Sequence, residues 1–74
     1  MERFFIYSME RQRAIRLMWQ EEDGALRQAN AQVTAWDGQQ LAITTLRPKR
    51  QLTLALKQIL SADYRKGDEG TAES

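Results

Sequence analysis

The chain contains no cysteine and no histidine among its 74 residues. These absences exclude a disulfide framework, a Cys/His zinc site, a catalytic thiol and an imidazole base. General-base chemistry would then need a carboxylate of raised pKa or a buried lysine, and the sequence indicates neither. A glycine-rich phosphate loop is also missing. We therefore expect no enzyme, no cofactor and no metal site.

Long apolar runs are missing as well. No stretch reaches the roughly 18–20 residues that a transmembrane helix needs, so we expect no membrane association. The first residues lack the continuous apolar segment and cleavage signal of a secretory leader, which predicts a cytoplasmic protein. A chain of this length forms one small domain at most and buries only about 60% of its unfolded surface.

The sequence has no large excess of charge of either sign, because its eleven basic and ten acidic residues give a net charge of +1. Residues 68–74, DEGTAES, hold three of the acids and no large apolar side chain. Such a segment cannot offset its ordering entropy, so we expect a disordered acidic tail at 68–74. The predicted domain, residues 1–67, then carries eleven basic and seven acidic residues and is mildly basic, at +4.

Turn signals recur at short intervals along the chain, at residues 21–24, 37–38 and 47–50. Glycine tolerates positive φ there, and the single proline interrupts a strand. The spacing predicts a mainly β domain, a small and strongly bent antiparallel barrel of four to five strands. The segments with apolar–polar alternation are 13–20, 29–36, 41–44, 52–56 and 60–64.

Two N-terminal segments leave alternatives open. Residues 13–20 alternate as a strand but are also rich in helix formers. We favour a strand, because residues 21–24 then close a hairpin onto residues 25–28. The apolar cluster at residues 4–7 fits either a short strand or one helical turn that packs over an open barrel end.

The second hairpin allows a prediction of its register. A three-residue loop at 36–38 pairs Val33 with Leu41 and puts the apolar side chains of both strands on one face. A two-residue loop would set an apolar face beside a polar one. We therefore predict the longer loop, with Gly38 as the left-handed residue of a type I turn with a bulge. Trp36 then falls on the polar face of its strand.

The stretch from residue 31 to 64 resembles the Sm-like small β-barrel, an architecture also found in the core of WYL domains. The similar features are AQVTAWDGQQLAITT, the alternating LTLAL, and ILSADY after a short turn. The resemblance implies a curled barrel, and Sm-like proteins commonly form rings and bind RNA. The Trp-Tyr-Leu triplet and the Sm RNA-pocket motif are not present, so no binding residue is carried over from either family.

Basic side chains cluster around the single proline. Phosphate binding needs positive groups presented together on one surface, and a turn provides this. An exposed Trp36 could stack on a nucleobase. The alternatives are a solvated turn that protects a sheet edge, and a tryptophan that covers the N-terminal cluster. The candidate nucleic-acid-binding residues are Arg47, Lys49, Arg50, Trp36 and Lys57.

The large apolar side chains are numerous for one small core that has no disulfide to support it. A core of this size supplies about 3–5 kcal/mol, so association would add stability. We expect a homo-oligomer, with a dimer favoured, formed through an exposed edge strand or through Phe4, Phe5, Ile6 and Trp36.

The predicted function is a non-catalytic interaction module that acts by self-association or protein binding. The first alternative is RNA binding through the basic turns, and the second is a small-ligand sensor or regulatory subunit.

Overall fold

The structure, a computed structural model, describes residues 1–65, so the expected acidic tail at 68–74 lies outside the described residues. The chain begins with one helix, α1 (Glu2–Arg11). A three-residue 3-10 turn, Leu56–Gln58, joins the last two of five strands. The strands are β1 (Ile15–Gln20), β2 (Leu26–Trp36), β3 (Gln40–Thr45), β4 (Gln51–Ala55) and β5 (Ile59–Tyr64).

The five strands form one antiparallel sheet in the order β4-β3-β2-β1-β5. The prediction of a mainly β antiparallel fold is confirmed, but the sheet is not closed into a barrel, because β4 and β5 lie at its two edges. The side chain of Gln58, in the turn between β4 and β5, contacts both β4 and β1. It accepts from the Ala55 N–H at 2.9 Å and donates to the Gln20 carbonyl at 3.1 Å. This side chain therefore links the end of β4 to the end of β1.

The ambiguity at residues 13–20 is resolved in favour of a strand. Ile15, Leu17 and Trp19 are buried, whereas on the other face Arg16 and Gln20 are exposed and Met18 is partly buried. A helix would have placed Leu17 away from the other two, whereas a strand sends all three to one face. The turn at residues 21–24 closes the β1–β2 hairpin as predicted, with the Glu21 N–H donating to the Ala25 carbonyl at 2.8 Å.

The β2–β3 register differs from the predicted one. Val33 pairs with Ile43 rather than with Leu41, a shift of two residues. A shift of two preserves the facing of side chains, so Val33, Leu41 and Ile43 are all buried, as the pattern requires. The connection between the strands is residues 37–39, one residue later than the predicted 36–38, and Trp36 pairs with Leu41. Gly38 has a φ of +97°, the positive value expected of it.

A β-bulge between Val33 and Ala35 corrects the prediction for Trp36. Side chains alternate along a strand, so an unbroken β2 would send Val33 and Trp36 to opposite faces. The extra residue of the bulge reverses that alternation. Trp36 therefore lies on the core side, where its ring centroid is 4.9 Å from that of Phe5.

Helix α1 is longer than the single turn or short strand considered from the sequence. Its buried positions are Phe5 and Ser8, three residues apart on one face, and they pack against β2. The helix ends at Gln12, which has a left-handed φ of 55°. The sequence shows no glycine at this stop, which is why the end of the helix was not predicted.

The helix is joined to the sheet by one buried hydroxyl. Val33 lies beyond the last β1–β2 pair, Ile15 with Ala31, so β1 offers it no backbone partner. The Ser8 hydroxyl accepts from the Val33 N–H at 2.8 Å and donates to the Arg13 carbonyl at 2.6 Å. One side chain therefore satisfies two backbone groups at the end of a strand ladder.

Within residues 1–65, no helix has the length and apolar character required to cross a membrane.

Candidate functional site

The predicted basic turn forms one wall of an open cavity of about 370 Å³. Arg47 and Arg50 reach it from the β3–β4 turn, and Arg27 reaches it from the start of β2. Trp19 and Leu52 contribute apolar surface to the same cavity. We call this feature the arginine groove, defined by Arg27, Arg47, Arg50, Trp19 and Leu52.

The β3–β4 turn is held in one shape by Thr45, which is only 7% exposed. The Thr45 N–H donates to the Arg50 carbonyl at 2.8 Å, and the Arg50 N–H donates back to the Thr45 hydroxyl at 3.1 Å. The same hydroxyl donates to the carbonyl of Pro48, which follows a cis peptide bond. The Leu46 N–H ties the turn to β2 through the Asn30 carbonyl at 3.3 Å. The backbone that carries the two turn arginines is therefore fixed on both sides.

The third arginine of the groove is positioned by a carboxylate. The Arg27 Nε lies 3.4 Å from a Glu21 carboxylate oxygen, and the same oxygen accepts from the Trp19 indole N–H at 3.2 Å. The Arg27 side chain is 59% exposed. Because solvent screens such an ion pair, it contributes little to the free energy of unfolding. The contact instead orients the Arg27 guanidinium group. Because Glu21 binds its Nε, the two terminal nitrogens remain available to donate to another group.

Lys49 and Lys57 do not join the groove. Lys49 is exposed on the same turn but does not line the cavity. Lys57 follows β4 and lies beside Gly38 and Leu56. The five-residue strand β4 separates it from Arg50, a span of roughly 17 Å at about 3.3 Å per residue. Only two of the four predicted cations are therefore brought together.

Trp36 lies near the helix rather than near the groove. Its indole N–H donates to a Glu2 carboxylate oxygen at 3.0 Å, and its ring packs against Phe5. Of the two roles weighed from the sequence, base stacking and packing on the N-terminal cluster, the structure places Trp36 in the packing one. Arg27 and Trp36 lie near opposite ends of β2, so they do not form one surface.

The predicted interface residues are largely engaged within the chain. Phe5 is fully buried, and Phe4 packs edge-to-face on Tyr64 with ring centroids 4.9 Å apart. Ile6 remains 37% exposed on the outer side of α1. The N-terminal cluster is therefore mainly part of the core of this chain, and Ile6 is its accessible member.

The β2–β3 connection contains the titratable group with an altered proton affinity. Backbone N–H groups of Gln40 and Gln39 donate to the Asp37 carboxylate at 2.8 Å each and hold its pKa below the ordinary value of 3.8. The carboxylate is on the surface, and its contacts close the loop. We assign Asp37 a structural role.

Sequence reasoning missed Arg27 and Glu21 as parts of the groove. Arg27 stands alone between Leu26 and Gln28, so no local cluster of charge marks it. It meets the turn arginines because the β3–β4 turn folds back alongside β2. That contact depends on the hairpin register, which the sequence pattern gave only to within two residues.

Comparison with protein-family models, with curated proteins and with solved structures finds no match to this chain. The resemblance of residues 31–64 to the Sm-like barrel therefore stays a prediction.

Proposed function

We propose that this protein is a non-catalytic interaction module that acts by self-association, with a dimer as its assembly. The observation that supports the proposal is a sheet with two edge strands that carry few protecting features within residues 1–65. Proteins usually protect edge strands with lysine, proline, a bulge or a covering segment. β4 has the sequence QLTLA, with no charge and no proline. β5 has the sequence ILSADY, with one acid and one register irregularity opposite Met18 and Trp19.

The outward backbone groups of β4 follow from its pairing with β3. Thr45 with Arg50 and Gln39 with Leu56 are hydrogen-bonded, and such pairs alternate along an antiparallel ladder. The N–H and C=O groups of Gln51 and Thr53 therefore point away from the sheet. Within residues 1–65 the structure records no partner for them.

The outward groups of β5 follow in the same way. Glu21 is hydrogen-bonded to Ala25 across β1 and β2, so Arg16 and Met18 turn their backbone groups toward β5. Their partners on β5 are Asp63 and Ser61. The N–H and C=O groups of Ala62, between these two partners, are therefore directed outward.

Charge favours β5 over β4 as the dimer contact. In an antiparallel dimer contact, the start of the edge strand in one protomer lies beside the end of the same strand in its partner. Two β4 strands would then bring Arg50 near Lys57, which are like charges. Two β5 strands centred on Ala62 set Asp63 opposite Ser61 and Leu60 opposite Tyr64. Such a contact would also cover Leu60, which is 47% exposed.

A pair of edge variants tests the proposal. Proline at an outward position removes a donor to the partner but no bond within the sheet. In size-exclusion chromatography with light scattering, we expect the unmodified chain at twice its 8.6 kDa mass. We expect Ala62→Pro to be a monomer and Thr53→Pro, the matched change on the other edge, to stay a dimer.

Other outcomes would change or overturn this assignment. If both proline variants are monomers, β4 of one copy pairs with β5 of the next, and the assembly is not the proposed dimer. A monomeric unmodified chain at micromolar concentration would refute self-association. Because Ala62→Pro could unfold the chain, Leu60→Glu is a second β5 variant, and circular dichroism checks that each variant is folded.

A further inference from the structure

We propose that the arginine groove binds the phosphate group of a nucleotide, at a site separate from the self-association edge. Three arginines line one open cavity of about 370 Å³. That size falls within the range of small-molecule sites, which is about 300–1,000 Å³.

The groove carries uncompensated positive charge. Glu21 is the one carboxylate among its lining residues in the described part of the chain, and it is engaged by Arg27. Within residues 1–65 the structure records no ion pair for Arg47 or Arg50. An anion in the cavity would therefore meet two unpaired guanidinium groups and the free terminal nitrogens of a third.

The number and arrangement of the arginines favour phosphate over carboxylate. A guanidinium group donates two parallel hydrogen bonds to an oxyanion. A carboxylate has two oxygens, so one or two guanidinium groups are enough to occupy its acceptor sites. A terminal phosphate has three non-bridging oxygens, which matches three guanidinium groups at Arg27, Arg47 and Arg50. Because Thr45 fixes the turn, less ordering is required when the ligand binds.

The apolar surface of the groove favours a ligand larger than the phosphate itself. Leu52 is half-buried beside Trp19, and both line the cavity together with Pro48. An inorganic ion would leave this surface uncovered, whereas the sugar and base of a nucleotide would cover it. Glu22 and Asp23 border the adjoining cavity, so repulsion directs the phosphate toward the turn and away from that side.

The nucleotide could be free or the 5′-phosphorylated end of a single strand, since both present a terminal phosphate. We would titrate ¹⁵N-labelled protein with uridine monophosphate and, separately, with a 5′-phosphorylated uridine decamer, and follow the arginine Nε–H signals. At low salt we expect shifts at Arg27, Arg47 and Arg50. For the decamer, affinity should also fall as the salt concentration rises.

Single-charge variants separate the groove from general electrostatic attraction. We expect Arg47→Gln and Arg50→Gln each to weaken binding about tenfold, through loss of a charged hydrogen bond. Lys57→Gln removes the same charge outside the groove and should change affinity less than about twofold. All three variants having the same effect would overturn the proposal.

The remaining outcomes are equally decisive. If uridine monophosphate and the decamer bind with similar affinity, the ligand is a free nucleotide. If only the decamer binds, the ligand is a single strand. Inorganic phosphate binding as tightly as uridine monophosphate would refute the nucleotide class. Absence of binding by either probe would overturn the site. Repeating the titration on Leu60→Glu keeps the result independent of the proposed dimer.

Discussion

The two halves of β2 lie in different environments although they belong to one strand. The C-terminal half, with Val33 and Trp36, is covered by α1 and its buried Phe5. The N-terminal half, with Arg27, is bordered by the β3–β4 turn and lines an open cavity. The covered half packs in the core, and the open half lines the proposed phosphate site.

One buried hydroxyl borders each half of β2, and the two hydroxyls act over different ranges. Ser8 joins the helix to Val33, 25 residues away in sequence. Thr45 bonds to groups three and five residues away and shapes a single turn. The covered half is therefore built by contacts between distant segments, and the open half by a local turn. Changes in the two halves should differ accordingly.

The largest difference between the halves is expected at their apolar side chains. Phe5→Ala should lower the free energy of unfolding by about 3–5 kcal/mol, because it empties a fully buried site. That loss is comparable to the whole core stability of a domain this size. Leu52→Ala, at a half-buried position of the groove, should cost less. Urea unfolding followed by tryptophan fluorescence measures both, and equal losses would contradict the contrast.

A smaller effect is expected from Ser8→Ala. The change removes the acceptor for the Val33 N–H and the donor to the Arg13 carbonyl, so buried backbone groups lose their partner. We expect a loss of about 1–3 kcal/mol in urea unfolding. Thr34→Ala is the matched control, because the Thr34 hydroxyl also bonds a backbone carbonyl but is exposed. A loss as large in the control would show that burial of Ser8 does not matter.

The smallest effect is expected at Asp37, on the surface loop that follows the covered half. The pKa of its carboxyl is lower in the folded chain than its ordinary value of 3.8. Its contribution to stability is therefore present above about pH 4 and is lost as the pH falls through the folded value. Asp37→Asn should flatten the dependence of the urea midpoint on pH below about pH 4. If the urea midpoint of the variant depends on pH as that of the unmodified chain does, Asp37 is not the group responsible for this dependence.

The strands could be predicted because their signals are local. The apolar alternation in β1 and β4, and the turn residues between strands, depend on neighbours in sequence. They gave the five strands, the β1–β2 turn, the shared face of Val33 and Ile43 and the positive φ of Gly38. Strand limits differed from the predicted ones by only a few residues, except that residues 25–28 and 29–36 form the single strand β2.

The remaining features depend on contacts between distant segments. The length of α1 is set by packing on β2, and its end at Gln12 has no sequence signal. The bulge after Val33 lies where a buried N–H meets Ser8 rather than another strand. Arg27 becomes part of a site only after the β3–β4 turn folds beside it. Alternation along the chain carries none of this information.

The bulge in β2 has a consequence for how the chain tolerates changes of length. Its extra residue sets the phase of every later side chain in the strand, so deleting Thr34 would rotate Trp36 by half a turn into solvent. The aromatic contact that seats α1 would then be lost without the removal of any apolar residue. A single-codon deletion at this point should therefore be as damaging as the loss of a core side chain, whereas insertions in the exposed turn at residues 21–24 should be tolerated.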